Sequence, residues 1–259
     1  MRLDEITISK AIIETFSKDL VGSLDLEVAI AGAGPAGLTA GFYLAQGGVK
    51  TAIFERNLQL GGGMPGGGIM FNKIVVQEPA REILEEMKIK HQEYQKGYYT
   101  ASSLEATSAL TYRTIRAGVK IFNLIGVEDV MVKEGRVNGF VINWGAVKLA
   151  GLHVDPIGIR FKMGIDATGH QCEVIRKLEE KGRVRLATSS GKIVGEGPMW
   201  AEKGEEAILD NTREVFPGLY VAGMAANAVF GGPRMGPIFG GMLLSGKKAA
   251  QLIIKELKG

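Results

Sequence analysis

Six residues, Gly32-Ala33-Gly34-Pro35-Ala36-Gly37, restrict this chain more than any other stretch. They follow the short apolar run Glu27–Ala31 and precede a segment, Pro35 to Gln46, with helical patterning. A G-x-G-x-x-G between a strand and a helix has a mechanical meaning. Glycine at 32 permits the tight turn, and Gly34 lets the main chain approach a pyrophosphate. Gly37 lets helix pack on strand, and the helix N-terminus supplies N–H groups and positive potential. A second strand is predicted at Thr51–Phe54, and Glu55 ends it, eighteen residues after Gly37. An acid about 20 residues beyond the glycines suits a ribose hydroxyl. It favours an adenosine ribose without a 2′-phosphate, hence NAD or FAD over NADP. Arg56 next door suits a phosphate contact or stacking on adenine.

The rest of the chain continues the alternation. Residues 6–18 read as an amphipathic helix through Ile8, Ile12 and Phe16, an added cap or an oligomer contact. Residues 57–73 read as a loop. Helices are predicted at 79–88, 102–117 and 171–180, strands at 119–122 and 159–165, and a hairpin at 127–133 and 136–143 around Glu134-Gly135. A late strand at 219–222 and a closing helix at 239–257 complete the pattern. Strands that alternate with helices imply an α/β fold with a mainly parallel central sheet. One such domain over residues 1–259 is expected, with an additional small β element.

Composition narrows the function. The 37 glycines gather at 32–37, 61–68, 191–197 and 231–246, where close backbone approach to a ligand or turns are expected. A net charge of +3 from scattered basic residues argues against nucleic acid and fits a phosphate-bearing small ligand. The single Cys172 excludes an intrachain disulfide. The charged start Met1-Arg2-Leu3-Asp4-Glu5 lacks a signal-peptide core, and no apolar run reaches the roughly 18 residues of a membrane span. A cytoplasmic protein without a membrane partner is the expectation.

Two further stretches carry chemistry. Phe216 to Gly223, followed by glycines 231–241 and a helix, resembles the C-terminal segment of two-dinucleotide-binding flavoproteins of glutathione-reductase type. Those proteins hold the flavin's ribityl–pyrophosphate region with an Asp where this chain has Met224. That residue either packs in the core or marks a ligand other than FAD. The other stretch holds His153-Val154-Asp155-Pro156 and Asp166-Ala167-Thr168-Gly169-His170. Two imidazoles and a carboxylate suit Fe(II) as well as Zn(II). Each also has a bland role, as a hydrogen-bonded histidine or an Asp-Pro turn starter. His91 reads as a surface residue. Cys172, one turn into a helix, either carries a lowered thiol pKa or is a small buried residue.

Taken together, the N-terminal helix, Gly32–Gly37, Glu55-Arg56, Gly61-Gly62-Gly63, His153–Pro156, Thr168-Gly169-His170 and Gly232–Pro237 resemble the archaeal thiamine thiazole synthase family over the whole chain. The resemblance implies a glutathione-reductase-like, Rossmann-type fold and a nucleotide used as substrate. NAD would lose nicotinamide, and its opened ADP-ribose would condense with glycine, take up sulfur and close to an adenylated thiazole. Fungal and plant members donate sulfur from a cysteine in a Cys-x-Asp-Pro segment. Here His153 holds that place and cannot donate sulfur, so free sulfide and multiple turnovers are implied. The resemblance assigns nucleotide binding to Gly32, Gly34, Ala36, Gly37, Glu55, Arg56, Gly63, Val127, His153, Val154, Asp155 and Met224. It assigns catalysis to His153, Asp155 and His170, Fe(II) to Asp155 and His170, and the glycine carboxylate to Arg234. A guanidinium fork suits that carboxylate, although a phosphate contact or a structural salt bridge would use it too. A homo-octamer with the metal site at a subunit interface is also implied. Competing readings are an FAD-dependent oxidoreductase of the same fold, a ribose bisphosphate isomerase-type activity and a non-catalytic NAD-binding protein.

Overall fold

The run Val28–Ala31, which closes the segment Asp25–Ala31, has almost nothing to offer water. The segment forms the centre of the sheet, β1, buried from Val28 to Ala31. The computed structural model describes residues 2–259. In chain order, α1 (Glu5–Gly22) precedes β1, which leads to α2 (Pro35–Gln46), β2 (Thr51–Glu55) and β3 (Lys73–Gln77). Next come α3 (Glu78–Glu86), β4 (His91–Gln95), β5 (Tyr98–Ser102), α4 (Ser103–Arg116) and β6 (Lys120–Asn123). The hairpin β7 (Ile125–Lys133) and β8 (Arg136–Trp144) is followed by α5 (Gly145–Leu149), β9 (Ile157–Asp166) and α6 (Glu173–Gly182). The chain closes with α7 (Ala201–Asn211), β10 (Glu214–Phe216), β11 (Leu219–Val221), α8 (Met224–Phe230) and α9 (Gly240–Lys258).

The eight-stranded sheet runs β10-β11-β9-β1-β2-β6, and the hairpin joins it where β8 pairs antiparallel with the first half of β9. The pairs β1–β2, β1–β9, β9–β11 and β2–β6 are parallel. The expected α/β fold with a mainly parallel sheet is therefore present. Register aligns Ala31 with Phe54 on one side and Asp166 on the other, and Asp166 with Val221. The carboxyl ends of four strands thus meet at one edge, on either side of β1. Ligands of open α/β sheets bind at such an edge.

Both faces of the sheet are covered, as parallel sheets require. Val28, Ile30 and Ile53 pack beneath α2, α3, α4 and α9. Ala29, Ala31 and Phe54 face the other core with Phe140, Ile159 and Ile175. Contact between α2 and α9 is unusually close, because a side chain at Gly246 would lie 2.3 Å from the Ala36 carbonyl oxygen.

Helix α3 lies where a helix was expected, at 79–88, but residues 73–77 and 91–102 on either side of it differ from the sequence expectation. They supply a separate antiparallel sheet, β3-β5-β4, that periodicity did not reveal. Strand β4 reads His-Gln-Glu-Tyr-Gln and is nearly all exposed, so it shows no apolar alternation. The loop expected at 57–73 contains two short 3₁₀ turns, at 64–66 and 68–70. Helices α7 and α8 and the short α5 were not foreseen either. Helix α1 is longer than expected and buries none of its residues, leaving Ile6, Ile12 and Ile13 exposed. Among the described residues, no helix is long and apolar enough to cross a membrane.

One joint behind the edge responds to pH. Glu205 of α7 accepts a hydrogen bond from Gln77 of β3 through Oε2, and its buried Oε1 has no partner among the described residues. Burial outweighs the pull of Gln77 and of the nearby Gly241 N–H at the start of α9 and pushes its carboxyl from 4.5 up to about 7. The native state therefore holds this proton more tightly than the unfolded chain. Its contribution to stability is complete below the unfolded value of 4.5 and is lost as pH rises through about 7. The neutral isostere Glu205→Gln should raise the thermal midpoint more at about pH 8 than at about pH 5. Parallel melting curves across that range check it, and equal shifts at both ends would contradict it.

Candidate functional site

The turn after β1 is built from main-chain proximity. Gly32 has φ +96°, and a side chain there would sit 2.6 Å from the Ala167 carbonyl oxygen at the end of β9. Gly37 meets the turn from the helix side, where a Cβ would fall 2.0 Å from the Gly32 carbonyl oxygen. Gly34 is different: a Cβ there would meet nothing within 4 Å. It caps α2 without a side-chain hydrogen bond, so the first-turn N–H groups stay available. Two of the three glycines therefore serve packing, and Gly34 faces space that a ligand phosphate can use.

Glu55 locks this turn. Its Oε2 accepts from the Ala33 N–H at 2.8 Å, and its Oε1 accepts from the Asn57 main-chain N–H at 2.8 Å and side-chain amide at 2.9 Å. The carboxylate is buried yet lines the cavity. A carboxylate offers about four lone-pair sites, so acceptor capacity remains for a ribose hydroxyl. Arg56 lines the same cavity and pairs with Glu173.

On the other side of β1, Asp166 plays the matching part. It is fully buried, and its Oδ2 accepts from the N–H groups of Val174 and Ile175 at 3.0 Å each. Its Oδ1 accepts from the Thr168 N–H at 2.9 Å and hydroxyl at 2.6 Å. Desolvation raises its pKa, and those hydrogen bonds pull the other way. The aspartate anchors α6 to the strand end and shapes the turn that presents His170. Cys172 follows in a left-handed conformation, buried, with burial pushing its thiol up to about 12. Such a thiol stays protonated and unreactive.

Between these anchors opens a cavity of about 460 Å³, within the range of small-molecule sites. Of the residues singled out in the sequence, Gly32, Gly34, Ala36, Glu55, Arg56, Gly63, Val127, His170 and Met224 line it. Gly37 lies behind it in the helix–strand contact. Met224 is buried at the start of α8 and still reaches the cavity, so packing and ligand roles coincide there. Arg234 lines an adjoining cavity of about 840 Å³ that shares Gly236 and Phe239 with the first. Its guanidinium pairs with no carboxylate among the described residues.

His153, Val154 and Asp155 lie elsewhere, in the exposed segment 151–156, and line neither cavity. One chain therefore does not bring Asp155 to the cavity that His170 lines. Among the described residues, no three His, Cys, Asp or Glu side chains gather to hold a metal. His91 is partly buried beside Tyr99, not at the surface.

Sequence reasoning missed Glu196, whose carboxylate oxygens lie 2.7 and 2.8 Å from His170 Nδ1. The signal was its place between Gly195 and Gly197, inside one of the four glycine clusters. It also missed Glu173 and the apolar walls Phe239 and Met242.

A glycine-lined cavity at the carboxyl edge of a parallel sheet, with a buried acid ending the second strand, defines a protein of the Rossmann-type α/β fold class. The model of the Thi4 family matches residues 9–239, and the chain belongs to that family. It is 56% identical over 258 residues to a thiamine thiazole synthase of Methanothermobacter thermautotrophicus, covering 100% of both chains. It is 57% identical over 255 residues to one of Pyrococcus abyssi, covering 98% of this chain and 99% of the other. The crystal structure of Thermovibrio ammonificans THI4 superposes with a TM-score of 0.97 at 48% identity, each chain covered completely. A geranylgeranyl bacteriochlorophyll reductase-like protein of Thermoplasma acidophilum shares the fold alone, with a TM-score of 0.52 at 15% identity over 90% of this chain and 79% of that one.

The glycines separate by experiment. Gly37→Ala should destabilise the fold by about 1–3 kcal/mol, the range for overpacking. If this turn takes a dinucleotide's pyrophosphate, Gly34→Ala should leave the thermal midpoint in place and weaken binding of NAD, used as the probe, about ten- to hundredfold, as for one or two lost hydrogen bonds to a charged group. Melting curves and calorimetric NAD titrations distinguish the two. Undiminished NAD affinity in Gly34→Ala would remove the phosphate from that turn.

Proposed function

We propose that this chain forms an adenylated thiazole from NAD, glycine and free sulfide with Fe(II), over many turnovers. Thiazole synthesis for thiamine is supported by family membership and by full-length relatives more than half identical. The observation that carries free sulfide and many turnovers is His153 in His153-Val154-Asp155-Pro156, where the resemblance expects a sulfur-donating cysteine. The chain's only thiol is buried and held protonated, so it offers no substitute donor.

The residues suit this work in stated ways. Glu55 can accept from the adenosine ribose, and the open start of α2 can take the pyrophosphate. Arg234, free of carboxylate partners in the neighbouring cavity, can orient the carboxylate of glycine. His170 and Asp155 would hold Fe(II), since an imidazole nitrogen and a carboxylate oxygen fit that metal. When bound, the metal would supply Lewis acidity and a place for sulfide. The same cavity walls would keep bulk water from the opened sugar.

The separation of Asp155 from His170 within one chain supports a site shared between copies in a homo-oligomer, an octamer by resemblance. The exposed apolar residues of α1 and of the 151–156 segment, Leu152 and Val154 among them, fit burial by a neighbouring copy.

An anaerobic mixture of NAD, glycine, sulfide, Fe(II) and protein should yield adenylated thiazole well beyond one per chain, with protein mass unchanged. A yield that stops at one per chain with loss of a sulfur's mass would reject free sulfide as the donor. Asp155→Ala and His170→Ala should each lose iron and activity. Mixed assemblies of the two variants should regain part of both, because some interfaces then carry an intact pair. Failure to regain them after demonstrated subunit exchange would place the site within one chain.

A further inference from the structure

We propose that Glu196 is a positioning residue that fixes the tautomer of His170, keeping Nδ1 protonated and Nε2 free as the ring's donor atom. The inference rests on the reading of His170 as a metal ligand and goes beyond it. Both oxygens of Glu196 lie on His170 Nδ1, at 2.7 and 2.8 Å. A carboxylate only accepts, so a neutral ring must place its N–H on Nδ1. That leaves the Nε2 lone pair on a residue that lines the nucleotide-sized cavity. Metal-bound histidines commonly carry a partner of this kind, which sets ring orientation and raises ligand basicity.

The backbone shows that this is a built arrangement. Glu196 is 19% exposed, against 43% for His170. Its segment is tied down on both sides. Before it, the N–H groups of Val194 and Gly195 donate to the carbonyls of Val229 and Ala228 at 3.0 and 2.9 Å, at the end of α8. After it, Gly197 donates to Gly232 at 3.1 Å and accepts from the Arg234 N–H at 3.2 Å. Gly195, at φ +93°, makes the turn between the two ties. One strap therefore sets both the carboxylate behind His170 and the main chain of Arg234. Long exposed ion pairs lack such anchoring and contribute little. Here the carboxylate is held where the ring needs it before any ligand arrives.

Two readouts test this in the full-length protein. Nitrogen-15 spectra of histidine-labelled protein report the tautomer. The His170 signals are assigned by their loss in His170→Ala. Wild type should show a protonated Nδ1 and an unprotonated Nε2, and Glu196→Ala should shift towards the other tautomer. Glu196→Gln keeps a carbonyl acceptor and should restore the wild-type pattern. Anaerobic titration with Co(II) alone, followed by its visible absorption, should show affinity about 10- to 100-fold weaker in Glu196→Ala, with most of it recovered in Glu196→Gln. Glu196→Leu, a bulkier side chain than alanine and without an acceptor, replaces the alanine variant should that one melt early.

An unchanged tautomer in the acceptor-free variant overturns the proposal. So does unchanged Co(II) affinity there, when His170→Ala abolishes binding. Unchanged Co(II) affinity in His170→Ala instead overturns the metal reading, while the tautomer spectra still decide the role of Glu196.

Discussion

Three main-chain segments meet at the carboxyl edge of the sheet at distances that a Cβ would forbid. Gly32 lies against the Ala167 carbonyl, and Gly37 lies against the Gly32 carbonyl. These contacts draw β1, the start of α2 and the end of β9 together. Such proximity buries polar main-chain atoms, and each must find a partner. Glu55 on one side and Asp166 on the other supply acceptors, and both carboxylates are buried. The strand edge is thus a frame in which missing side chains create closeness and two acids satisfy it.

The two acids differ in what they leave over. Asp166 gives both oxygens to the α6 end and the Thr168 turn, an inward-facing structural task. Glu55 faces the cavity and retains capacity to accept. Glu173, just after the Asp166-anchored turn, reaches across to pair with Arg56, the residue next to Glu55. The walls on either side of β1 are therefore linked by charge above the cavity as well as by main chain below it.

This division explains what the sequence could tell. Helix α2 was legible to its ends, because Pro35 after Gly34 and the small residues behind it speak locally. Glu55 was legible through spacing alone. The β3-β5-β4 sheet was not, since β4 is polar and exposed and its strands are held by neighbours rather than by an apolar stripe. The reach of Glu196 was also hidden. Its partner, His170, lies 26 positions earlier, and the bonds that place it run to α8 and to the loop before Arg234. Local pattern carries no trace of such contacts. The grouping of His153, Asp155 and His170 is one that a single chain does not make. Nearness in sequence suggested one cluster, and the ten residues of β9 carry the two ends apart.

That separation has a structural logic. Strand β9 pairs with β8 along its first half and with β11 along its second, so its start and its end answer to different neighbours. Its end is fixed at the edge beside β1, where His170 follows. Its start emerges from the exposed segment that holds Asp155, beyond α5. A rigid ten-residue strand spans about 33 Å, and no loop adjustment within the chain shortens it. If both residues serve one metal, the second must come from another copy, and oligomerisation becomes a condition for the chemistry rather than an addition to it. His170 then has to be correctly oriented in advance, by groups of its own chain.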